Sequence, residues 1–314
     1  MTEPAPEFTP PTVEEAGAWM DRQLERAEIT RTGPVTLPYI RPWSAVFTAA
    51  TSQGAVWLKV PAAGSEFEAG LYEILLQVAP DNVLEPIASE TGNGWLLLPD
   101  GGPALAEIAR GEALVDAMTR ALPQYAALQR AVSDQSGALL QIGLTDMRTG
   151  SLPERFERAV MAMKPPPEPL VELIPVFEGW CSLLEDHPVA PSLDHNDLHP
   201  WNVLGFGSDG RLTGSAPVFY DWGDSVVGHP LGSSAEPIGR VRLLAGLAAD
   251  DPEVLRMRDA YLEVFDEIVS GEEARELVQT AWRVARAARA VIWDGSQQDV
   301  DRYLDRLARG ELDL

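Results

Sequence analysis

Asp194-His195-Asn196-Asp197-Leu198-His199-Pro200-Trp201-Asn202 is the stretch from which the rest of this chain can be read, together with Tyr220-Asp221-Trp222-Gly223-Asp224 downstream. Three of the four histidines, His195, His199 and His229, lie in or beside these clusters. Between the clusters, Val203-Leu204-Gly205-Phe206 and Ala216-Pro217-Val218-Phe219-Tyr220 have the texture of short strands around a turn at Gly207-Ser208-Asp209-Gly210. A hairpin there carries Asn202, before its first strand, back beside Asp221, after its second. The spacing therefore predicts that Asp197, Asn202 and Asp221 converge on one point.

Those residue types suit phosphoryl transfer. Phosphate oxygens need neutralising, and Mg²⁺ (Mn²⁺ is the other fitting ion) does this with oxygen ligands from protein, water and the phosphates themselves. Asn202 and Asp221 supply one neutral and one anionic ligand, which holds the ion without cancelling its charge. Asp197 is then free to orient an attacking hydroxyl and take its proton. Toward the amino terminus, Lys59 sits in the otherwise apolar run Ala55-Val56-Trp57-Leu58-Lys59-Val60. A lysine in such a strand either points to solvent from an edge or needs an anionic partner. Glu68, on the next helical run, is placed to hold its ammonium over nucleotide phosphates.

The surrounding chain divides in two. Thr12 to Ala27 has helical spacing, with Thr12 as cap and Glu15 three residues on. From Val35 the texture is β-rich: runs at 45–50 and 55–60 flank a turn ending at Gly54, a helix is expected over 66–78, and strands over 82–89 and 94–99. Asp100-Gly101-Gly102-Pro103 breaks the pattern and reads as a hinge. Helices follow at 104–109, 112–133, 152–163 and 170–185, and again after the polar island at 240–248, 252–269, 272–293 and 299–309. The expected organisation is an N-terminal tail and helix over 1–34, a β-rich nucleotide-binding lobe over 35–100, and a helical lobe over 101–314 carrying the catalytic and metal-binding loops and the acceptor site. The first eleven residues are polar, acidic and proline-rich, and read as disordered.

His195, Asp197 and Asn202 at this spacing, followed by Asp221, resemble the catalytic and metal-binding motifs of the aminoglycoside phosphotransferase family, relatives of the protein kinases. That family's histidine-glycine-aspartate-leucine-histidine-proline-glycine-asparagine run is met over His195 to Asn202, with Asn196 and Trp201 where glycines are usual. Its second motif is similar to Asp221-Trp222, Asp224 and Gly228-His229-Pro230, with His229 in place of the usual acid. The resemblance implies an α+β, protein kinase-like bilobal fold and ATP or GTP as phosphoryl donor. It implies a small-molecule hydroxyl as acceptor, such as an aminoglycoside, an amino alcohol or a sugar. It also makes Lys59 the phosphate-binding lysine and Glu68 its helix partner. Leu96-Leu97-Leu98-Pro99-Asp100 resembles the strand and linker that receive adenine, which implies nucleotide contacts at Leu98 and Asp100. His195 and His199 are implied to be structural, Trp201 to shape the loop or cleft, and Asp224 to brace the metal loop or face the acceptor. The loop over the phosphates, Arg41-Pro42-Trp43-Ser44, has no glycine.

Composition constrains partners. The chain has 48 acidic against 24 basic residues, a net charge of −24, which repels nucleic acid and anionic membrane and is compatible with a cationic acceptor or simply with solubility. No run is long and apolar enough to span a bilayer, the start lacks a leader pattern, and Cys181 is the only cysteine, so a cytoplasmic protein with a buried structural thiol is expected. Acceptor contacts are expected from Trp201, Asp224, Glu236, Glu263 or Asp266. Oligomeric state is left open. Two other readings stand on the residues alone: a pseudokinase that binds nucleotide or a protein partner, and a metal-dependent hydrolase using His195, Asp197, His199 and Asp221.

Overall fold

Thr12 starts the first helix, α1 (Val13–Arg26), by a reciprocal cap: its hydroxyl accepts the Glu15 N–H at 3.2 Å, and the Glu15 carboxylate accepts the Thr12 N–H at 2.8 Å. The computed structural model describes residues 8–207, 211–214 and 216–309. One face of α1, Ala16, Trp19, Met20 and Leu24, is buried against a five-stranded sheet. Its strands are β1 (Thr36–Arg41), β2 (Ser44–Thr51), β3 (Gly54–Pro61), β4 (Ala88–Glu90) and β5 (Trp95–Pro99), all antiparallel in the order β1-β2-β3-β5-β4. The β2–β3 turn closes at Gly54, whose φ of +118° is one that a side chain would resist.

Alternation along β3 decides the chemistry. Val56, Leu58 and Val60 point into the core under α1, so Lys59 must point to the opposite face. Helix α2 (Phe67–Val78) crosses that face, packing Phe67, Leu71 and Leu75 with Leu96 and Leu98 of β5. The strand expected over 82–89 is shorter than predicted. Pro86 lacks the N–H that a central ladder needs, and pairing begins only at Ala88. Val83 bridges Phe219 instead, and the Asn82 amide donates to the Pro217 carbonyl at 3.0 Å, tying the small lobe to the hairpin beyond the cleft.

The second lobe is mostly helical: α3 (Leu105–Ile108), α4 (Gly111–Val132), α5 (Ser136–Gln141), α6 (Leu152–Ala162) and α7 (Glu168–Glu185), then α8 (Pro230–Ser233), α9 (Ala235–Ala245), α10 (Pro252–Leu262), α11 (Gly271–Ala288) and α12 (Gln297–Ala308). α9 begins five residues before the expected start at Arg240, because Pro237, which breaks the apolar spacing on paper, is accommodated in the first turn where its missing N–H costs nothing. A small sheet not foreseen from sequence joins β6 (Thr145–Asp146), β7 (Ser192–Asp194) and β10 (Val226–Gly228). Strands this short carry too little periodicity to be read. The predicted hairpin forms as β8 (Val203–Leu204) and β9 (Val218–Phe219); its turn at 207–210 falls largely outside the described residues, as does most of the amino-terminal tail. Cys181 is buried, and burial pushes its thiol up to about 12. Among the described residues no helix is long and apolar enough to cross a membrane. The whole is a bilobal α+β fold of protein kinase-like architecture.

Candidate active site

Pairing in the β8–β9 hairpin sets Val203 against Phe219 and Leu204 against Val218. The next rung brings the Tyr220 N–H to the Asn202 carbonyl at 3.3 Å, so Asn202 lies alongside the residue preceding Asp221. Asp221 itself adopts a left-handed backbone, φ +63°, which an aspartate tolerates better than most residues. The kink turns its carboxylate, half exposed, toward the cleft.

Lys59 reaches across from β3. Its Nζ lies 2.5 Å from Asp221 Oδ1 and 2.6 Å from Glu68 Oε2. Burial opposes the ammonium's charge, but Asp221 and Glu68 together hold its pKa above the ordinary value. Lys59 in turn lowers the Asp221 carboxyl, whereas burial raises Glu68 despite the lysine. Glu68 is almost wholly buried and its second oxygen accepts the Trp222 N–H at 2.9 Å. Gly223 completes this corner: a β-carbon there would stand 2.9 Å from Lys59 Nζ.

The catalytic-loop candidates are anchored from below. The Tyr125 hydroxyl accepts the His195 N–H at 2.9 Å and lies 2.6 Å from Ser233 Oγ, which bonds Asp194. His195 is fully buried, packs at a tilt against Trp222 with ring centroids 4.6 Å apart, and donates from Nε2 to the Tyr220 carbonyl at 3.0 Å. Burial pushes its pKa down to about 4, so it is a neutral brace between the two motifs. Asn196 takes φ +61°, which explains how it replaces a glycine: asparagine is among the few side chains at ease there.

Asp197 lies at the cleft floor. Its Oδ1 accepts from Arg289 Nη2 at 3.1 Å, and His199 Nε2 is 3.5 Å from Oδ2. Burial raises its pKa, while Arg289 and His199 oppose the rise. Asn202 is buried beneath, its amide donating to the Asp197 carbonyl at 3.1 Å, which leaves Oδ1 as its remaining polar atom. Asp224 lines the cleft, raised by burial and by Asp221. Trp201 is nearly half exposed but stands outside the lining, edge-on to His199. Glu236 does line the cleft; Glu263 and Asp266, at the end of α10, do not.

The cleft between the lobes measures about 1260 Å³ and runs from Trp57, Leu98 and Asp100 past Lys59, Asp221 and Asp197 to a wall built by α9, α11 and α12. Arg289, on that wall, is the functional candidate that sequence reasoning missed. It lies 92 residues from Asp197 in the alanine-rich run Ala285-Arg286-Ala287-Ala288-Arg289-Ala290, which reads as an ordinary amphipathic helix. Among the described residues no three His, Cys, Asp or Glu side chains gather as a ready ligand set. The Asp221 carboxylate and the Asn202 amide oxygen are donor types that suit a hard cation drawing the rest of its shell from water and phosphate; Asp221 lines the cleft, whereas Asn202 is buried and outside the lining. Among the described residues no imidazole-rich centre of the kind a metal-dependent hydrolase uses is gathered, and His195 is committed to a backbone carbonyl.

The sequence model of the phosphotransferase enzyme family matches residues 41–231. No curated protein matches the chain in sequence. Among solved structures, an ethanolamine kinase from Plasmodium vivax superposes with a TM-score of 0.63 at 13% identity, covering 92% of this chain and 83% of that one. A macrolide 2′-phosphotransferase from Brachybacterium faecium superposes at 0.55 and 18% identity, covering 91% and 96%. A choline/ethanolamine kinase family protein from Mesorhizobium loti gives 0.50 and 15%, covering 89% and 87%. At these identities the likeness is one of fold.

Proposed function

The chain belongs to the phosphotransferase enzyme family, and from that premise we propose that it transfers the γ-phosphoryl of ATP or GTP to a hydroxyl of a small molecule. The observation that carries this reading is the meeting of Lys59, Glu68 and Asp221 at 2.5–2.6 Å across a cleft that also holds Asp197. Leu98 and Asp100 border the adenine end. Lys59 exchanges the Asp221 carboxylate for phosphate oxygens while Glu68, fixed by Trp222, keeps the ammonium in place. Asn202 and Asp221 would hold Mg²⁺, which when bound neutralises charge on the transferring group. Asp197 aligns the acceptor hydroxyl and takes its proton as the new oxygen–phosphorus bond forms, the bond to the β-phosphate breaks and nucleoside diphosphate leaves. His195 and His199 position the loop.

The reading is tested by ³¹P NMR of ATP or GTP with Mg²⁺ and a panel of cationic, neutral and anionic alcohols. Appearance of a phosphomonoester with stoichiometric nucleoside diphosphate is expected. Tight Mg-dependent nucleotide binding with no transfer to any member would favour a non-catalytic nucleotide-binding role instead.

A further inference from the structure

The wall opposite the nucleotide end is arginine-rich in a chain where acids outnumber bases two to one. Arg240 of α9, Arg286 of α11, Arg289, and Arg302 and Arg306 of α12 all line the cleft, against the carboxylates Glu236, Asp294 and Asp299. Asp197 and Asp224 lie on the floor between this wall and Asp221. The placement is specific. Arg302 and Arg306 share one face of α12 at i,i+4 spacing. Arg289 opens a π turn, Arg289–Asp294, a distortion that breaks the regular helix where it meets the cleft.

The contacts to carboxylates do not exhaust the donors of Arg240, Arg289 and Arg302. Arg240 bonds Glu236 through Nε at 2.5 Å, Arg302 bonds Asp299 through one terminal nitrogen at 2.9 Å, and Arg289 bonds Asp197 through Nη2. A guanidinium has five N–H donors, so each retains several. Arg289 Nη1 is buried without a partner among the described residues, and so is the hydroxyl of Tyr303, a cleft-lining residue only 4% exposed. Arg283, Arg286 and Arg306 all act on Tyr303 electrostatically. Buried donors left unpaired beside a cationic wall await an acceptor of hydrogen bonds.

We propose that the phosphoryl acceptor is an alcohol bearing an anionic group, a carboxylate, phosphate or sulfate, recognised by Arg240, Arg289 and Arg302 while its hydroxyl lies on Asp197. This rests on the phosphotransferase reading and narrows its substrate class. The Arg289–Asp197 pair is the pivot: the acceptor's anion takes over the guanidinium, and the released carboxylate receives the hydroxyl. The anionic group therefore sits close to the hydroxyl that is phosphorylated. Bidentate guanidinium recognition suits planar or tetrahedral oxyanions. The overall charge of −24 does not oppose the assignment, because screening confines distant carboxylates to about 8 Å at physiological salt.

The test uses the full chain. Mg·AMP-PNP is first titrated calorimetrically; failure of that binding would contradict the phosphotransferase reading itself. Sodium sulfate is then titrated into the Mg·AMP-PNP complex of wild type and of Arg240→Gln/Arg302→Gln. One sulfate site is expected in wild type, weakened about tenfold or more in the double variant, the scale of one lost charge-assisted contact, with nucleotide affinity retained. No sulfate binding, or equal binding in the variant, would overturn the proposal. In parallel, hydroxy acids, sugar acids, sugar phosphates and sugar sulfates are compared as acceptors with uncharged and amino analogues. Preferred phosphorylation of an anionic member, lost through KM in the variant, supports the proposal. Turnover confined to amino alcohols, aminoglycosides or neutral sugars overturns the anionic class while leaving phosphoryl transfer intact.

Discussion

Asp197 is held between influences of opposite sign: burial and the neighbouring carboxylates of Asp224 and Glu236 raise its pKa, and Arg289 and His199 lower it. The base proposed at Asp197 must be ionised, so phosphoryl transfer should fall on the acid side as Asp197 takes a proton. Arg289→Ala removes the stronger of the two lowering charges, and the acid limb of kcat/KM should then move to higher pH. A pH–rate profile checks this; a limb that stays put would detach Arg289 from the titration of Asp197. That Lys59, Glu68, Asp197 and Asp221 gather in one cleft was legible in part: the hairpin returns Asp221 toward the Asp197 run, while an apolar strand left Lys59 either to solvent or to an anionic partner, and the family resemblance assigned Glu68 as that partner. The Arg289 contact was not legible. Nothing in an alanine-rich helix marks which arginine faces a site nearly a hundred residues earlier.

At the level of elements, the β8–β9 hairpin and the turn after it do most of the positioning. The hairpin was readable from its flanking apolar runs, and the α1 cap from Thr12 and Glu15. The β6-β10-β7 sheet and the start of α9 were not, since two- and three-residue strands have no period and Pro237 masks the first helical turn. One contact in this region is directly testable. Gly223 lies against Lys59 Nζ, so Gly223→Ala must displace the ammonium from between Glu68 and Asp221. The atom it meets is the far end of a flexible side chain at the cleft, so the shift costs the fold little while moving the ammonium. We expect Mg-nucleotide affinity to fall about tenfold or more while the melting temperature changes by only a few degrees. Calorimetry and thermal unfolding of the one variant separate these effects; unchanged nucleotide affinity would mean that Lys59 is not the group that meets the phosphates.

For the whole molecule, two buried histidines withdraw stability on the acid side, against the buried carboxylates Glu68, Asp194, Asp197 and Asp224, whose raised pKa values work in the opposite direction. His195 and the ring nitrogens of His229 are buried, and burial pushes both pKa values down from 6.5 to about 4. Between those values the unfolded chain binds protons that the folded chain refuses, so stability is lost as pH falls from 6.5 toward 4. The expected loss at pH 5 is about 2 kcal/mol per histidine. Urea unfolding of wild type and His229→Gln at pH 7 and pH 5 measures it, and the variant should lose about 2 kcal/mol less between the two pH values than wild type. The same two lobes that bury these rings also shape the cleft, and a composition compatible with a cationic acceptor or simply with solubility gives no hint of the arginine wall inside. The division of labour across the cleft is the central claim, with Asp197 serving the acceptor and Asp221 the metal-bound nucleotide. It is tested most directly by titrating Mg·AMP-PNP into wild type, Asp197→Asn and Asp221→Asn by calorimetry. Wild type and Asp197→Asn should bind alike, and Asp221→Asn about tenfold or more weaker, since it loses a carboxylate ligand to a hard cation. Equal weakening in both variants, or nucleotide binding indifferent to Mg²⁺, would contradict it.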